Sequence, residues 1–97
     1  MKTREEILQI LKECKPIIFD KYGIKNIGLF GSFARNTQTE ESDVDIFYEG
    51  AVLSFLDLDL LQTELETKLD CPVDLVRIRI NMNTLLKQQI EKEGIYA

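Results

Sequence analysis

The chain has 97 residues, of which 44% are hydrophobic and 30% are charged, as in an ordinary globular domain. A chain of this length forms one modest core, so we expect residues 1–97 to fold as a single domain. The 17 acidic and 12 basic residues give a net charge of -5, which argues against direct nucleic-acid binding. Because the chain has no histidine, Ser-His-Asp catalysis, Cys-His catalysis and imidazole zinc sites are excluded.

The cysteine content and the hydropathy indicate the cellular compartment. Cys14 and Cys71 both sit beside apolar residues, so we expect buried reduced thiols and neither a disulfide nor a thiolate metal site. No apolar run approaches the roughly 18 residues that cross a bilayer, and the first residues lack the apolar core of a signal peptide. We therefore expect a cytoplasmic protein without membrane contact.

The first half of the chain alternates helical and extended patterns. Thr3 and Glu6 have the spacing of a capping box and begin a first helix. We expect Pro16 to kink the chain and begin a second short helix, which ends at Gly23. The following segments are predicted to be a strand, the first turn of a short helix and a polar loop, at residues 24–30, 33–35 and 36–42.

The second half predicts two further strands and two helices. Period-two alternation predicts a strand at residues 43–48. Residues 54–69 carry leucines at helical spacing; the alternation inside this segment also fits a strand, but its length favours a helix. A short strand at 73–76, a polar connection at 77–83 and a helix at 84–93 complete the chain. This order predicts an α/β or α+β domain in which helices cover a small three-stranded sheet.

Three carboxylates are the first candidate site. Asp43 and Asp45 lie two apart in a predicted strand and therefore project to one side, while Asp74 interrupts the apolar residues of the next strand. If the two strands are neighbours, the three groups converge, and a divalent cation would relieve their repulsion. Oxygen ligands alone favour Mg²⁺ or Mn²⁺. The alternative is a solvated strand face, against which Asp74 argues because aspartate is a poor strand residue.

Gly31 and Ser32 are the second candidate site. They follow a strand and open a short helix, where a glycine lets the backbone approach a phosphate and the first amides point outward. A Gly-Ser pair alone is more often a simple turn. Here a hairpin-length return leads from it to Asp43 and Asp45, which places a phosphate cradle beside a metal site. Together the two elements predict phosphoryl transfer, in which carboxylate-bound metal ions activate a hydroxyl and stabilise the leaving group.

These segments resemble a known family. The sequence from Gly31 to Arg35, the Ser42-Asp43-Val44-Asp45 segment and the later Val73–Val76 strand are similar to minimal nucleotidyltransferases of the polymerase-β superfamily. The closest likeness is to the antitoxins of HEPN/MNT toxin–antitoxin pairs, and it covers nearly the whole chain. The resemblance implies a small mixed sheet packed with helices. Asn36 departs from the family pattern, which has glycine there, but asparagine tolerates the left-handed backbone.

The resemblance also implies residue roles and a reaction. Gly31 and Ser32 match the residues that hold the triphosphate of ATP, Asp43 and Asp45 match the metal-binding pair, and Asp74 matches the third carboxylate, which helps to position the metal and to deprotonate the acceptor. All three aspartates are thus the expected catalytic and metal-binding residues, with Mg²⁺ or Mn²⁺ as the ion. The implied reaction transfers AMP from ATP to a hydroxyl of a partner, a tyrosine of a HEPN-type ribonuclease toxin.

Several side chains have two interpretations. Arg35 either contacts phosphate or pairs with an acidic neighbour along its helix, and we favour the pairing; Ser42 either approaches the nucleotide or caps the turn before its strand, and we favour the cap. Three leucines lie opposite the core face of their helix and form either an apolar docking stripe or packing at the domain edge: Leu53, Leu56 and Leu60.

The function likewise has alternatives. The enzyme hypothesis requires transfer of AMP to a partner protein. The second hypothesis is an antitoxin that neutralises its toxin by binding, without catalysis. A third, a nucleotidyltransferase for a small molecule or an RNA end, is disfavoured by the short chain and by the acidic charge.

Overall fold

The computed structural model describes residues 2–79 and 82–97. Four helices and four strands alternate along the chain in an order that agrees with the predicted α/β class. Their bounds are α1 Arg4–Tyr22, β1 Ile24–Phe30, α2 Gly31–Arg35, β2 Val44–Gly50, α3 Phe55–Leu69, β3 Val73–Arg77, α4 Thr84–Glu93 and β4 Ile95–Tyr96. The predicted connection at 77–83 lies partly outside the described residues, at positions 80 and 81.

Helix α1 is one continuous helix, so the predicted break at Pro16 is wrong. The capping box at Thr3 is present as expected, and Gly23 ends the helix in the left-handed conformation with φ of 69°. One apolar stripe continues through the proline position and is buried along its length, at Ile7, Leu11, Cys14, Ile18 and Tyr22. Pro16 faces solvent, so its ring does not interrupt the buried stripe. Burial of the stripe stabilises the helix by more than the loss of the one backbone hydrogen bond that a proline removes.

The sheet has four strands, in the order β3-β2-β1-β4. Strands β1 and β2 are antiparallel, as the hairpin predicted, whereas β2 and β3 are parallel. The three-stranded prediction missed β4, whose two residues pair with Gly28 and Leu29 of β1. A two-residue segment carries no periodicity, so only its pairing partner could have revealed it.

Both faces of the sheet are covered. On one face, Val44, Ile46 and Tyr48 of β2 enter the main core together with the buried stripes of α1 and α3. On the other face, Phe47 packs with Ile90 of α4 in a smaller cluster. Alternate residues of β2 therefore point into different layers, and Asp45 shares the α4 side with Phe47. None of the helices in the described ranges is long and apolar enough to span a membrane.

The leucines of α3 divide between core and surface. Leu61, Leu65 and Leu69 are buried as predicted. Of the three residues of the proposed docking stripe, Leu53 packs against the main core, so the edge-packing interpretation holds for it. Leu56 and Leu60 remain 69% and 48% exposed. The surface next to Leu56 also includes Phe55, which is 92% exposed and which was not among the residues predicted to form the stripe.

Candidate active site

The hairpin that joins β1 to β2 places Gly31 against Asp45. Phe30 at the end of β1 is paired with Asp45 of β2, and the chain then turns into α2 at Gly31 with φ of 77°. A Cβ atom at this position would collide with Oδ2 of Asp45. Glycine is therefore needed at position 31 for two reasons, the positive φ and the close approach of the Asp45 carboxylate.

Helix α2 is short, and the residues after it bond back to its first turn. Asn36 ends it with φ of 61°, as the sequence predicted for this position. The N–H of Thr37 then donates to the carbonyl of Ser32 at 2.9 Å. Ser32 is half-buried in the first turn, directly after Gly31. Gly31, one of the two residues predicted to hold phosphate, thus lies beside Asp45, one of the predicted metal ligands.

Two of the three aspartates lie side by side on adjacent strands, and Asp43, predicted to be in the second strand, lies just before it. Asp45 and Asp74 are register partners in the parallel pair β2 and β3, so they project to the same face directly across from each other. Asp43 precedes β2 and lies two residues before Asp45. Asp45 is half-buried, whereas Asp43 and Asp74 are exposed. Asp45 and Asp74 are therefore adjacent on one face, and the charge of Asp43 is close enough to act on Asp45; convergence of all three on one ion stays a prediction.

The surroundings of Asp45 disfavour its ionised form. Its burial raises its pKa to about 6, and the negative charges of Asp74 and then Asp43 contribute in the same direction. The guanidinium of Arg35 acts in the opposite direction and lowers this pKa. Ionisation of the Asp45 carboxylate, between Gly31 and Asp74, is therefore disfavoured, and a cation placed there would favour the ionised form.

The donor set fits a cation that is shared with a substrate. Across residues 2–79 and 82–97, no three His, Cys, Asp or Glu side chains are arranged to enclose an ion by themselves. Mg²⁺ is usually held by one or two carboxylates together with substrate phosphates and water, and needs no all-protein cage. Two or three oxygen donors next to a backbone turn that can accept phosphate match that mode of binding.

Arg35 and Ser42 make contacts of the favoured kind, although the acidic partner of Arg35 lies on α4 and not along its own helix. Nη1 of Arg35 lies 2.7 Å from Oε2 of Glu93, so α2 is tied to the end of α4 by an ion pair. The Ser42 hydroxyl accepts from the N–H of Thr39 at 2.9 Å and thereby closes the turn before β2. Sequence reasoning missed Glu93, because an ion pair between residues 58 apart leaves no signal in the spacing.

The thiols show no bonding to each other. Cys14 is buried and Cys71 is half-buried, and both are free. Burial raises the pKa of each thiol, so both are protonated near neutral pH. The predicted burial therefore holds for Cys14 and only in part for Cys71.

Comparison with known proteins assigns the family. The model of the family "Polymerase beta, Nucleotidyltransferase" matches residues 5–96. The chain belongs to this nucleotidyltransferase family. The resemblance drawn from the motifs, and the fold it implied, are thereby confirmed. The roles assigned to the three aspartates and to Gly31 and Ser32 stay predictions.

Relatives of this nucleotidyltransferase cover its whole length. A protein of Methanocaldococcus jannaschii, provisionally named a protein adenylyltransferase, is 46% identical and is matched over 100% of both chains. A crystal structure of a toxin–antitoxin with AMP-PNP is 30% identical, with a TM-score of 0.71 over 98% of this chain and 72% of the other. A structure of a tri-AMPylated HEPN toxin of Shewanella oneidensis with its MNT antitoxin is 28% identical, with a TM-score of 0.61 over 96% and 66% of the two chains.

Proposed function

We propose that this protein transfers AMP from ATP to a hydroxyl group of a partner protein and acts as the antitoxin of that partner. The observation that carries the proposal is the register of Asp45 and Asp74, which places two carboxylates face to face beside the turn at Gly31. The family match and the relatives named as protein adenylyltransferases support it.

Each predicted residue has a distinct task in this reaction. The turn at Gly31 and Ser32 holds the triphosphate through backbone amides and a hydroxyl. The acceptor oxygen forms a bond to the α-phosphorus, the bond from that phosphorus to the bridging oxygen breaks, and pyrophosphate leaves. Asp74, the exposed member of the pair, accepts the proton of the acceptor hydroxyl. No histidine is required, because a carboxylate takes the proton. The other contribution of the protein is to position ATP and the acceptor hydroxyl.

A divalent ion fits this site. Asp43 and Asp45 would hold Mg²⁺ or Mn²⁺ together with the phosphates of ATP, and Asp74 would help to position the ion. When bound, the ion withdraws charge from the phosphate oxygens and so favours attack and departure of pyrophosphate. The half-buried Asp45 carboxylate, whose ionisation is disfavoured in the free protein, supports a cation at this point.

The acceptor comes from another molecule. One of the similar complexes contains a tri-AMPylated HEPN toxin with its MNT antitoxin, and this supports a HEPN-type toxin as the acceptor protein, with a tyrosine as the proposed acceptor residue. The exposed apolar side chains of Phe55, Leu56 and Leu60 offer a contact surface for such a partner. The cytoplasm, where ATP is abundant and free thiols persist, is the compartment we propose.

The test is transfer of labelled AMP to the purified partner. Incubation with ATP and Mg²⁺ should add the mass of one or more AMP groups to the toxin and should abolish its ribonuclease activity. Asp43→Asn and Asp45→Asn should abolish transfer, whereas Asp20→Asn, which changes an exposed carboxylate of α1, should not. Normal transfer by a folded Asp43→Asn, Asp45→Asn double variant would contradict the proposal, as would transfer to RNA or a small molecule in preference to the partner.

A second candidate is neutralisation by binding alone. The exposed apolar surface at Phe55 and Leu56 favours it, because such a surface stabilises a complex without any chemistry. This candidate predicts full inhibition of the toxin when ATP is withheld. If inhibition appears only with ATP, the catalytic proposal stands and the binding alternative is wrong.

A further inference from the structure

Strand β3 is an edge strand that carries one of the predicted catalytic residues. It pairs with β2 on one side, and no strand within residues 2–79 and 82–97 pairs with its other side. Alternate residues of an edge strand turn their N–H and C=O groups outward, where no neighbouring strand satisfies them. The N–H of Val44 donates to the carbonyl of Pro72 at 2.9 Å, and the N–H of Ile78 donates to the carbonyl of Tyr48 at 2.8 Å. Val73 therefore turns its backbone groups outward.

Helix α3 supplies partners for both of these groups. The N–H of Val73 donates to Oε2 of Glu66 at 3.0 Å, and Nε2 of Gln62 donates to the carbonyl of Val73 at 2.9 Å. Gln62 and Glu66 are four residues apart and lie on one face of α3. Glu66 as acceptor and Gln62 as donor therefore take the place of a neighbouring strand at Val73, the residue that precedes Asp74.

We call the two hydrogen bonds from Gln62 and Glu66 to Val73 the clamp. The clamp lies one residue before Asp74, whose carboxylate faces that of Asp45. Asp74 lies opposite Asp45, and when both carboxylates are ionised their like charges repel each other across the pair of β2 and β3. The side chain of Val73 is buried in the main core, which anchors one face of the strand but leaves its exposed edge to the two hydrogen bonds. The clamp therefore holds the backbone of Val73 in place, one residue before Asp74, where the repulsion from Asp45 acts.

We propose that Gln62 and Glu66 are positioning residues that hold Asp74 in register with Asp45. They do not reach the reacting atoms; they act through the backbone of Val73. This inference rests on the proposed function for its kinetic consequence, but the positioning itself can be measured in the free protein.

The first measurement is amide hydrogen exchange in the protein without metal or nucleotide. Glu66→Ala and Gln62→Ala should raise the exchange rates of Val73 and Asp74 by about tenfold or more, while Val76 farther along β3 is unchanged. Glu66→Gln keeps an acceptor oxygen and should restore protection. Thr63→Ala, at an exposed position of the same helix, is the control and should leave all three amides as they are. Unchanged protection in both alanine variants would overturn the clamp.

The second measurement separates positioning from stability. Glu66→Ala and Gln62→Ala should lower kcat for AMP transfer by about ten- to a hundredfold with little change in KM for ATP, because the phosphate turn at Gly31 is untouched. Glu66→Gln should recover most of the rate. Ile18→Val removes a methyl group from the distant core stripe of α1 and should lower Tm without lowering kcat.

The outcomes distinguish the two proposals. If the wild-type protein transfers no AMP but the exchange pattern holds, the proposed function fails and the clamp stands. If transfer is normal and the Glu66 and Gln62 variants keep both kcat and protection, the clamp is wrong and the proposed function is unaffected. Equal losses of kcat in Ile18→Val and in the clamp variants would also overturn the positioning role.

Discussion

The Oδ2 atom of Asp45 occupies the space in which a side chain at residue 31 would begin. This relationship ties the phosphate turn to the carboxylate cluster, because Gly31 cannot be substituted without displacing Asp45. It also explains why the turn and the aspartate, separated by the 36–42 loop in sequence, act as one unit in the fold.

Gly31→Ala is expected to abolish AMP transfer and to lower stability by about 1–3 kcal/mol, because the new Cβ meets Asp45 and the backbone keeps a positive φ. Thermal unfolding and transfer of labelled AMP measure the two effects. Gly23→Ala is the control: its φ of 69° gives comparable backbone strain at the end of α1, remote from the carboxylates. Transfer should persist in Gly23→Ala, and equal activity in the two variants would contradict the relationship.

The stability of the metal-free protein should fall as the pH rises through about 6. The folded state raises the pKa of Asp45 from 3.8 to about 6, so the folded protein binds a proton that the unfolded chain releases over this interval. The stabilisation is complete below pH 3.8 and is lost above pH 6. Asp45→Asn should therefore raise Tm at pH 8 and change it little at pH 4. A difference in Tm between variant and wild type that is independent of pH would count against the raised pKa.

Addition of Mg²⁺ should reverse this trend. A cation between Asp43 and Asp45 favours the ionised carboxylates, so binding releases a proton and strengthens as the pH rises from about 5 to about 8. Calorimetric titration of the protein with MgCl₂ and a non-hydrolysable ATP analogue, in buffers of different ionisation enthalpy, measures the released proton. Affinity that stays constant over this pH range would exclude Asp45 as a ligand.

The ion pair between Arg35 and Glu93 should contribute little to stability. The Arg35 side chain is 48% exposed, and exposed pairs are worth about 0–1 kcal/mol. A double-variant cycle with Arg35→Ala and Glu93→Ala, measured at low and high salt, should give a coupling energy in this range that shrinks with salt. A coupling well above about 1 kcal/mol would show that the pair fixes the contact between α2 and α4.

Substitution of the exposed apolar surface should weaken the complex with the partner and leave the fold intact. Phe55→Ser with Leu56→Ser removes apolar surface that is 92% and 69% exposed, so Tm should change by no more than a few degrees. Partner binding, measured by calorimetry or surface plasmon resonance, should weaken at least about tenfold. Ile17→Ser, 51% exposed on α1, is the matched control and should bind normally. Unchanged affinity in the double variant would exclude this surface.

Local signals predicted most of the secondary structure. The bounds of β1 and α4 agree with the predicted segments at 24–30 and 84–93, because an apolar run ends at a glycine turn in one case and helical periodicity ends at Gly94 in the other. The prediction failed at Pro16, where burial of a long-range stripe overrides the local preference of proline. It failed again at β4, whose two residues become a strand only through their contact with β1.

The sequence by itself determined the chemistry that is available here: three carboxylates, a glycine turn and no histidine. Its motifs also indicated which family carries that set. Only the tertiary structure decided that Asp74 lies opposite Asp45, that Glu93 pairs with Arg35 and that Gln62 and Glu66 hold Val73. The reason is physical, since the register between two parallel strands depends on how the buried residues of both strands pack in one shared core. These residues are Val44, Ile46 and Val73.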